Sequence, residues 1–202
     1  MPTPIAHTGF ALAVALAARP SGRPDTAAAM DAATLIVLAN LADIDFLPGV
    51  LVGNAVAWHH GATHSILFAG LTASIALFLR AARPPGGVLA GTRGTPLRPS
   101  ARWGLACSLA ALSHPVLDWL TGEAGADVQT YGIEAFWPVS TTRYMSDWHA
   151  FGAYHIDTMG LFGGVLTAGA LGNLGREVGF AAVCIGLAAA GRWVFAARIP
   201  QG

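Results

Sequence analysis

The chain has little charge and no lysine. Only 11% of its 202 residues are charged, whereas a soluble domain carries about 25%. All eleven basic residues are Arg, and the formal net charge is zero, so charge balance gives no support to a nucleic-acid partner. With 54% hydrophobic residues, this shortage of charge is typical of a membrane protein.

Cysteine is also scarce. Cys107 and Cys184 are the only two, and both lie inside apolar stretches, where a thiol usually behaves as a small hydrophobic side chain. The sequence therefore contains neither a disulfide framework nor a thiolate metal motif.

A secretion signal is not expected at the N-terminus. The apolar run at residues 8–18 is short, but a signal peptide carries its positive residues before the apolar core, whereas Arg19 and Arg23 follow it. Retention of residues 1–18 is therefore favoured, with cleavage, which would remove His7, left as the alternative. The run could extend through residues 4–7 as a helix.

Five longer apolar runs approach the roughly 20 residues that a spanning helix needs. They cover residues 27–42, 65–82, 103–120, 158–174 and 179–197. The pattern predicts an all-α, polytopic membrane bundle of five or six transmembrane helices, with residues 1–202 as a single integral membrane domain. Residues 46–58 contain Pro48 and Gly49, which indicates a re-entrant or interfacial element.

Arginine distribution predicts the orientation. The segment 80–102 is rich in Pro and Gly and carries five Arg, so we expect a cytoplasmic loop. The loop 121–155 then lies on the periplasmic or extracellular face of a bacterial inner membrane. All seven histidines fall on that same face, together with most of the acidic residues.

Two pairs of residues on this face have the character of metal ligands. His114 and Asp118 are four residues apart, so on a helix they share one face and can bind one cation. Asp43 and Asp45 point to one side only if the backbone is extended, and a helix that ends in a turn before Pro48 is the alternative. Carboxylates at a helix C-terminus need compensation, which a divalent metal would supply.

The sequence HHGATHS at residues 59–65 holds three histidines in seven positions. Gly61 permits a tight turn, and Thr63 is a plausible N-cap for the next helix. We expect His59 and His64 to point into a common cavity and His60 to face elsewhere.

Together with His7, the motifs ADID, HHGATHS, SHPVLD and FWPVS resemble the family of bacterial membrane-bound metal-dependent hydrolases typified by the YdjM and YbcI proteins. The resemblance runs from His7 to about Asp157. Ala42 stands where the family usually has Pro, and His60 where it usually has Arg. The resemblance implies a membrane-embedded hydrolase that uses a metal-activated water.

The order of these residues is remotely similar to that of the zinc-dependent phospholipase C and P1 nuclease group, which cleaves phosphoesters. This similarity implies five metal ligands, namely His7, Asp45, His59, His114 and Asp118. His149, His155 and Asp157 are possible additional ligands, but their spacing does not reproduce that of the group. We therefore expect one or two ions.

The hypothesis of a metal-dependent hydrolase assigns roles to the metal and to the remaining candidate residues. Imidazole and carboxylate ligands favour Zn²⁺, with Mn²⁺ as an alternative. Asp43 and His64 are the catalytic candidates: Asp43 orients the water or acts as base, and His64 is a ligand or a hydrogen-bond donor. Arg143 could hold an anionic substrate group, and Trp137, which belongs to the family motif, could contact a lipid or lipid-linked substrate.

Other interpretations remain open. Histidines tolerate membrane interfaces without a ligand, and Arg143 could be an ordinary loop charge. The protein could also be a non-catalytic metal-binding protein, such as a metal transporter, or a regulatory membrane protein with a structural polar cluster. A transporter needs polar residues through the bilayer, and the middles of 65–82 and 179–197 offer almost none.

Overall fold

A computed structural model describes residues 2–19, 25–52, 58–82, 101–122, 127–152 and 168–197, and most of these residues are helical, whereas 132–152 consist of turns and irregular backbone. The helices are α1 (Pro4–Ala18), α2 (Asp25–Asn40), α3 (Phe46–Leu51), α4 (Ile66–Ala81), α5 (Ala101–Trp119), α6 (Val128–Tyr131) and α7 (Ala168–Ala197). Two 3-10 turns, Leu41–Asp45 and Ala62–His64, precede α3 and α4. The described ranges contain two isolated β-bridges and no strand, which confirms the all-α prediction. His155, Asp157, most of 80–102 and most of the 158–174 run lie outside the described residues.

Capping residues define where the helices begin. The Thr3 side chain accepts a hydrogen bond from the Ile5 amide, and Pro4 follows at the first helical position of α1. Ser65 caps α4 by accepting from the Phe68 amide. The prediction of Thr63 as this N-cap was wrong, because the Thr63 hydroxyl instead donates to Asp45.

The core is built largely from alanine. Helix α1 packs against α2, α5 and α7, while α4 packs against α5. The buried small side chains of this core include Ala11, Ala39, Ala69, Ala106 and Ala110. A Cβ placed on Gly9 would collide with Ala181, so glycine is what allows α1 to approach α7 this closely. Small residues in these positions let helix backbones pack tightly in a membrane.

Two helical stretches of the described chain are long and apolar enough to cross a membrane, Asp25–Gly49 and Gly169–Val194. Helices α1 and α4 are apolar but shorter, at 15 and 16 residues. The stretch Gly169–Val194 is mostly not covered by the rest of the protein, as expected of a surface that contacts lipid. Five or six spans remain a prediction.

Four helix ends meet at one end of the bundle. The N-terminal turn of α1, the end of α2, the start of α4 and the C-terminal turn of α5 bring their polar side chains together there. Pro115 lies inside α5, yet the helix continues to Trp119. His114 and Asp118 consequently share a face, as predicted.

Candidate metal centre

Four side chains form the central cluster: Asp43, His64, His114 and Asp118. The Nε2 atoms of His64 and His114 and the Oδ2 atom of Asp118 lie 3.1 Å from one another. Asp43 Oδ1 lies 3.3 Å from His114 Nε2 and 3.7 Å from His64 Nε2. Ligands about 2.0–2.2 Å from a tetrahedral zinc ion are about 3.3–3.6 Å apart. The cluster therefore has nearly the spacing that such an ion requires.

Hydrogen bonds on the far side of each ring determine which nitrogen faces this cluster. His114 Nδ1 lies 2.7 Å from the Ala39 carbonyl, which can only accept, so Nδ1 carries the proton. His64 Nδ1 lies 3.2 Å from Asp45 Oδ2. In neutral rings both Nε2 atoms then present lone pairs to each other at 3.1 Å, which a cation between them would stabilise. Metal-ligating histidines commonly donate their other N–H in this way.

The burial of these side chains also indicates a cation site. His64, His114 and Asp118 are almost completely buried, and neither carboxylate oxygen of Asp118 has a hydrogen-bond donor among the described residues. A buried carboxylate is costly unless it is paired or coordinates a metal. The donor set and these unsatisfied oxygens thus fit a divalent cation.

His7 lies beside the central cluster. Its ring stacks on His114 with the centroids 4.0 Å apart, and His7 Nε2 is 3.6 Å from Asp118 Oδ1. His7, His114 and Asp118 each place one ligand atom within 4.8 Å of the others. The structure therefore brings together three of the five residues predicted as ligands.

The other two predicted ligands, Asp45 and His59, form an adjacent pair. Asp45 Oδ1 is 2.8 Å from His59 Nδ1, and the Thr63 hydroxyl donates to Asp45 Oδ2 at 2.7 Å. A 3-10 turn rotates about 120° per residue, so Asp43 and Asp45 point in different directions. Asp43 contacts the Nε2 side of His64 and Asp45 the Nδ1 side.

The carboxylates create a strongly negative environment for His64. Burial alone would lower the pKa of His64. Its contacts with the Asp118, Asp43 and Asp45 carboxylates outweigh burial and raise that pKa well above its usual value. A bound cation would benefit from the same negative potential. Burial lowers the pKa of His59 and lowers that of His60 further.

His60 lies with His59, His64 and His114 in one layer of contacting rings, the histidine layer, contrary to the expectation that it faces elsewhere. It is buried, and its ring centroid lies 4.0 Å from that of His59 and 4.9 Å from that of His64. The left-handed backbone of the turn is at His60, with φ 67°, whereas Gly61 has φ −82°. The tight turn predicted at Gly61 is therefore one residue earlier.

The predicted substrate residues lie in the segment 127–152. Arg143 donates to the carbonyls of Gln129 at 2.8 Å and His59 at 3.3 Å, so its guanidinium holds backbone, and an anion-binding role stays a prediction. Trp137 is exposed on the surface of this segment. His149 lies against Gly122 and joins none of the possible metal groups of the described chain.

Two groups that orient the candidate ligands were not predicted from the sequence. The first is the Thr63 hydroxyl, which orients Asp45, and its position next to His64 was the only sequence signal for that role. The Ala39 carbonyl orients His114, and nothing in the sequence could indicate it, because the contact joins two helices 75 residues apart.

These features define an all-helical protein with apolar, membrane-type helices and a buried His/Asp cluster suited to a divalent cation. The family model of the YdjM inner membrane protein matches residues 1–199, so the chain belongs to that family. This match confirms the predicted family and supports an inner-membrane location. No curated protein and no solved structure matches the chain. Similarity to the phospholipase C and P1 nuclease group therefore stays a prediction.

Proposed function

We propose that the protein is a membrane-embedded, metal-dependent hydrolase that cleaves a phosphoester or another ester. The central cluster is the observation that carries this proposal. Three of its corners, His64, His114 and Asp118, are at most 1% exposed, whereas the Asp43 side chain is 20% exposed. A catalytic metal site keeps one position open beside three protein ligands, and the Asp43 corner is the accessible one.

Each residue then has a separate task. His64, His114 and Asp118 hold the ion, and Asp45 and the Ala39 carbonyl fix the two rings through their Nδ1 atoms. When bound, a divalent cation such as Zn²⁺ lowers the pKa of water and polarises the ester oxygen. Asp43, at the accessible corner, orients the attacking water and accepts its proton.

A lipid or lipid-linked ester is the substrate class that the surroundings favour. Large apolar side chains next to the cluster are exposed, including Leu47, Leu51 and Val52 around α3 and Trp58 before His59. An apolar surface of this kind is typical of contact with a membrane. In the multi-pass arrangement that we propose, the Arg-rich segment is cytoplasmic and the cluster faces the periplasm.

A non-catalytic metal-binding protein is the second candidate. The observation in its favour is that Asp43 completes four protein corners, and closed four-ligand sites are usually structural. The two functions differ in what Asp43 does, so a single substitution separates them.

The test compares Asp43→Asn with Asp118→Asn in full-length protein purified in detergent, with exposed Asp147 changed to Asn as control. Metal content is measured beside hydrolysis of phosphate and carboxylic esters presented in lipid vesicles. We expect Asp118→Asn to lose both metal and activity. Asp43→Asn should keep the ion and lose activity by about 100-fold or more.

Two results would contradict the hydrolase. The first is a metal-loaded wild-type protein that cleaves none of these esters. The second is Asp43→Asn with unchanged turnover, which would remove the proposed base.

A further inference from the structure

His60 is a buried side chain without a task in the central cluster. Its residue is 3% exposed, and neither ring nitrogen has a hydrogen-bond partner among the described residues. A buried polar atom without a partner indicates an ordered water, an ion or a functional role, because its desolvation is otherwise uncompensated. A neutral imidazole presents one N–H donor and one acceptor nitrogen, and neither of these in His60 is satisfied by a partner in the described part of the chain.

The backbone at His60 adds to this cost. Its φ of 67° lies in the left-handed region, which costs a non-glycine residue of order 1–3 kcal/mol and persists only where the surroundings enforce it. Gly61, which would adopt this conformation freely, follows directly and does not use it. The turn thus has its unfavourable left-handed backbone at His60, and this backbone places the His60 imidazole in the histidine layer.

The neighbours of His60 are metal-ligating residue types. His59, His60 and His64 each bring one ring nitrogen within 4.8 Å of the other two. The Asp45 carboxylate adjoins this group, with Oδ1 2.8 Å from His59 Nδ1 and Oδ2 3.2 Å from His64 Nδ1. His64 also belongs to the central cluster, whereas His59 and His60 do not, so this group adjoins the central cluster and shares one residue with it.

We propose that His59 and His60, with the Asp45 carboxylate, form a second cation position next to the central cluster. His64 lies between the two positions, and Asp45 connects them, with Oδ1 towards His59 and Oδ2 towards His64. Imidazole-rich ligands select zinc over magnesium or calcium. This inference rests on the proposed function and sharpens its substrate class. Paired cations favour phosphoester cleavage, where they stabilise both the attacking and the leaving oxygen.

The experiment counts ions. Full-length protein in detergent is stripped with a chelator and titrated with Zn²⁺, and bound zinc is measured after gel filtration. We expect two equivalents for the wild type and one for His60→Asn, whose second equivalent should bind at least 100-fold more weakly. Asparagine tolerates positive φ, so the turn is preserved. His149→Asn is the matched control, since His149 also has positive φ, at 44°, and should retain two equivalents.

The outcomes separate this inference from the proposed function. One equivalent in both wild type and His60→Asn, lost on Asp118→Asn, overturns the second position and leaves the central one intact. A folded His60→Asn that binds no zinc overturns it too, because His60 then belongs to the central site. No zinc in the wild type overturns both proposals. If His60→Asn does not fold, Asp45→Asn must also bind one equivalent, and two would contradict the proposal.

Discussion

His64 lies between two carboxylates that act on opposite nitrogens of its ring. Asp45 lies 3.2 Å from Nδ1, while Asp118 lies 3.1 Å from Nε2. The first contact fixes the tautomer, and the second marks the metal-facing side. Thr63 completes the arrangement because its hydroxyl holds Asp45 at 2.7 Å. Orientation of a ligand by such outer contacts commonly changes metal affinity by 10–100-fold.

Thr63→Val tests this chain of contacts. Valine keeps the shape of threonine and removes the hydroxyl, so Asp45 loses a hydrogen bond and His64 loses part of its orientation. We expect metal affinity to fall by about 10-fold in a folded protein, measured by competition with a zinc chelator.

Thr34→Val is the control for this substitution, because among the described residues the Thr34 hydroxyl donates only to the Met30 carbonyl within α2. Equal metal affinities in Thr63→Val and the wild type would exclude an orienting role for Thr63.

At this scale the sequence predicted what depends on local periodicity. The spacing of His114 and Asp118 placed both on one helix face, and the structure confirms it. The difference between Asp43 and Asp45 could not be predicted, because it depends on a 3-10 turn whose direction is determined by the tertiary contacts of both side chains.

The segment 127–152 holds the histidine turn in place. Ile133 and Tyr144 pair through two backbone hydrogen bonds of 3.0 Å. From this pair, the Glu134 amide donates to the His60 carbonyl at 2.9 Å, and Arg143 donates to the His59 carbonyl at 3.3 Å. The turn that carries the metal ligands is thus restrained from outside the helices.

Arg143→Lys separates a positioning role from a role in binding an anionic substrate. Lysine keeps the charge but lacks the planar fork that reaches Gln129 and His59 together. We expect weaker zinc binding, by about 10-fold. A higher KM for an anionic ester with unchanged zinc affinity would instead support the substrate role. Exposed Arg176→Lys is the control.

Glu177 links helix α7 to the start of α1. It is completely buried, and both its carboxylate oxygens accept from the Thr3 amide at 2.9–3.0 Å, while the Thr3 hydroxyl donates to it as well. This contact fixes the first turn of α1, which carries His7.

Glu177→Ala should destabilise the protein by about 1–3 kcal/mol, because it leaves the Thr3 donors without an acceptor. Thermal unfolding in detergent measures the loss. Glu177→Gln retains one acceptor oxygen and should lose less. A Glu177→Ala protein as stable as the wild type would show that the contact is not required.

Helix positions were predictable from the sequence, and the caps less so. The apolar runs at 65–82 and 103–120 correspond closely to α4 and α5. Thr63 and Ser65 are equally good capping residues in isolation. The Thr63 hydroxyl donates to Asp45 and therefore does not cap α4, and that contact forms only in the folded chain.

The two ends of the bundle differ in chemistry. The histidine layer and Arg143 lie at one end, while Arg19 and Arg80 lie at the other. There Arg19 pairs with Asp25 and Arg80 with Asp31, each at 2.6 Å. Arg80 also lies over the Trp103 ring, 4.2 Å from its centroid. This polarity agrees with a cytoplasmic Arg-rich end, which remains a prediction from the positive-inside rule.

Single-cysteine labelling tests the orientation. In a variant with Cys107 and Cys184 replaced, a cysteine at Thr92 should be protected from a membrane-impermeant reagent in intact cells. One at exposed Asp147 should react. The reverse pattern would place the histidine layer on the cytoplasmic side.

The class of protein was predictable from composition and motif order, because both are properties of the chain itself. The count of spanning helices was not confirmed, since only two described stretches are both long and apolar enough to cross a membrane. The convergence of four helix ends on one cluster depends on packing between distant helices such as α1 and α7, which no local pattern records.

The most direct test is elemental analysis of the folded, detergent-purified protein beside Asp118→Asn and Asp147→Asn. The account predicts at least one equivalent of zinc or manganese in the wild type and in Asp147→Asn, and its loss from a folded Asp118→Asn. A folded wild-type protein that binds no divalent metal, even after zinc and manganese are supplied, would contradict it.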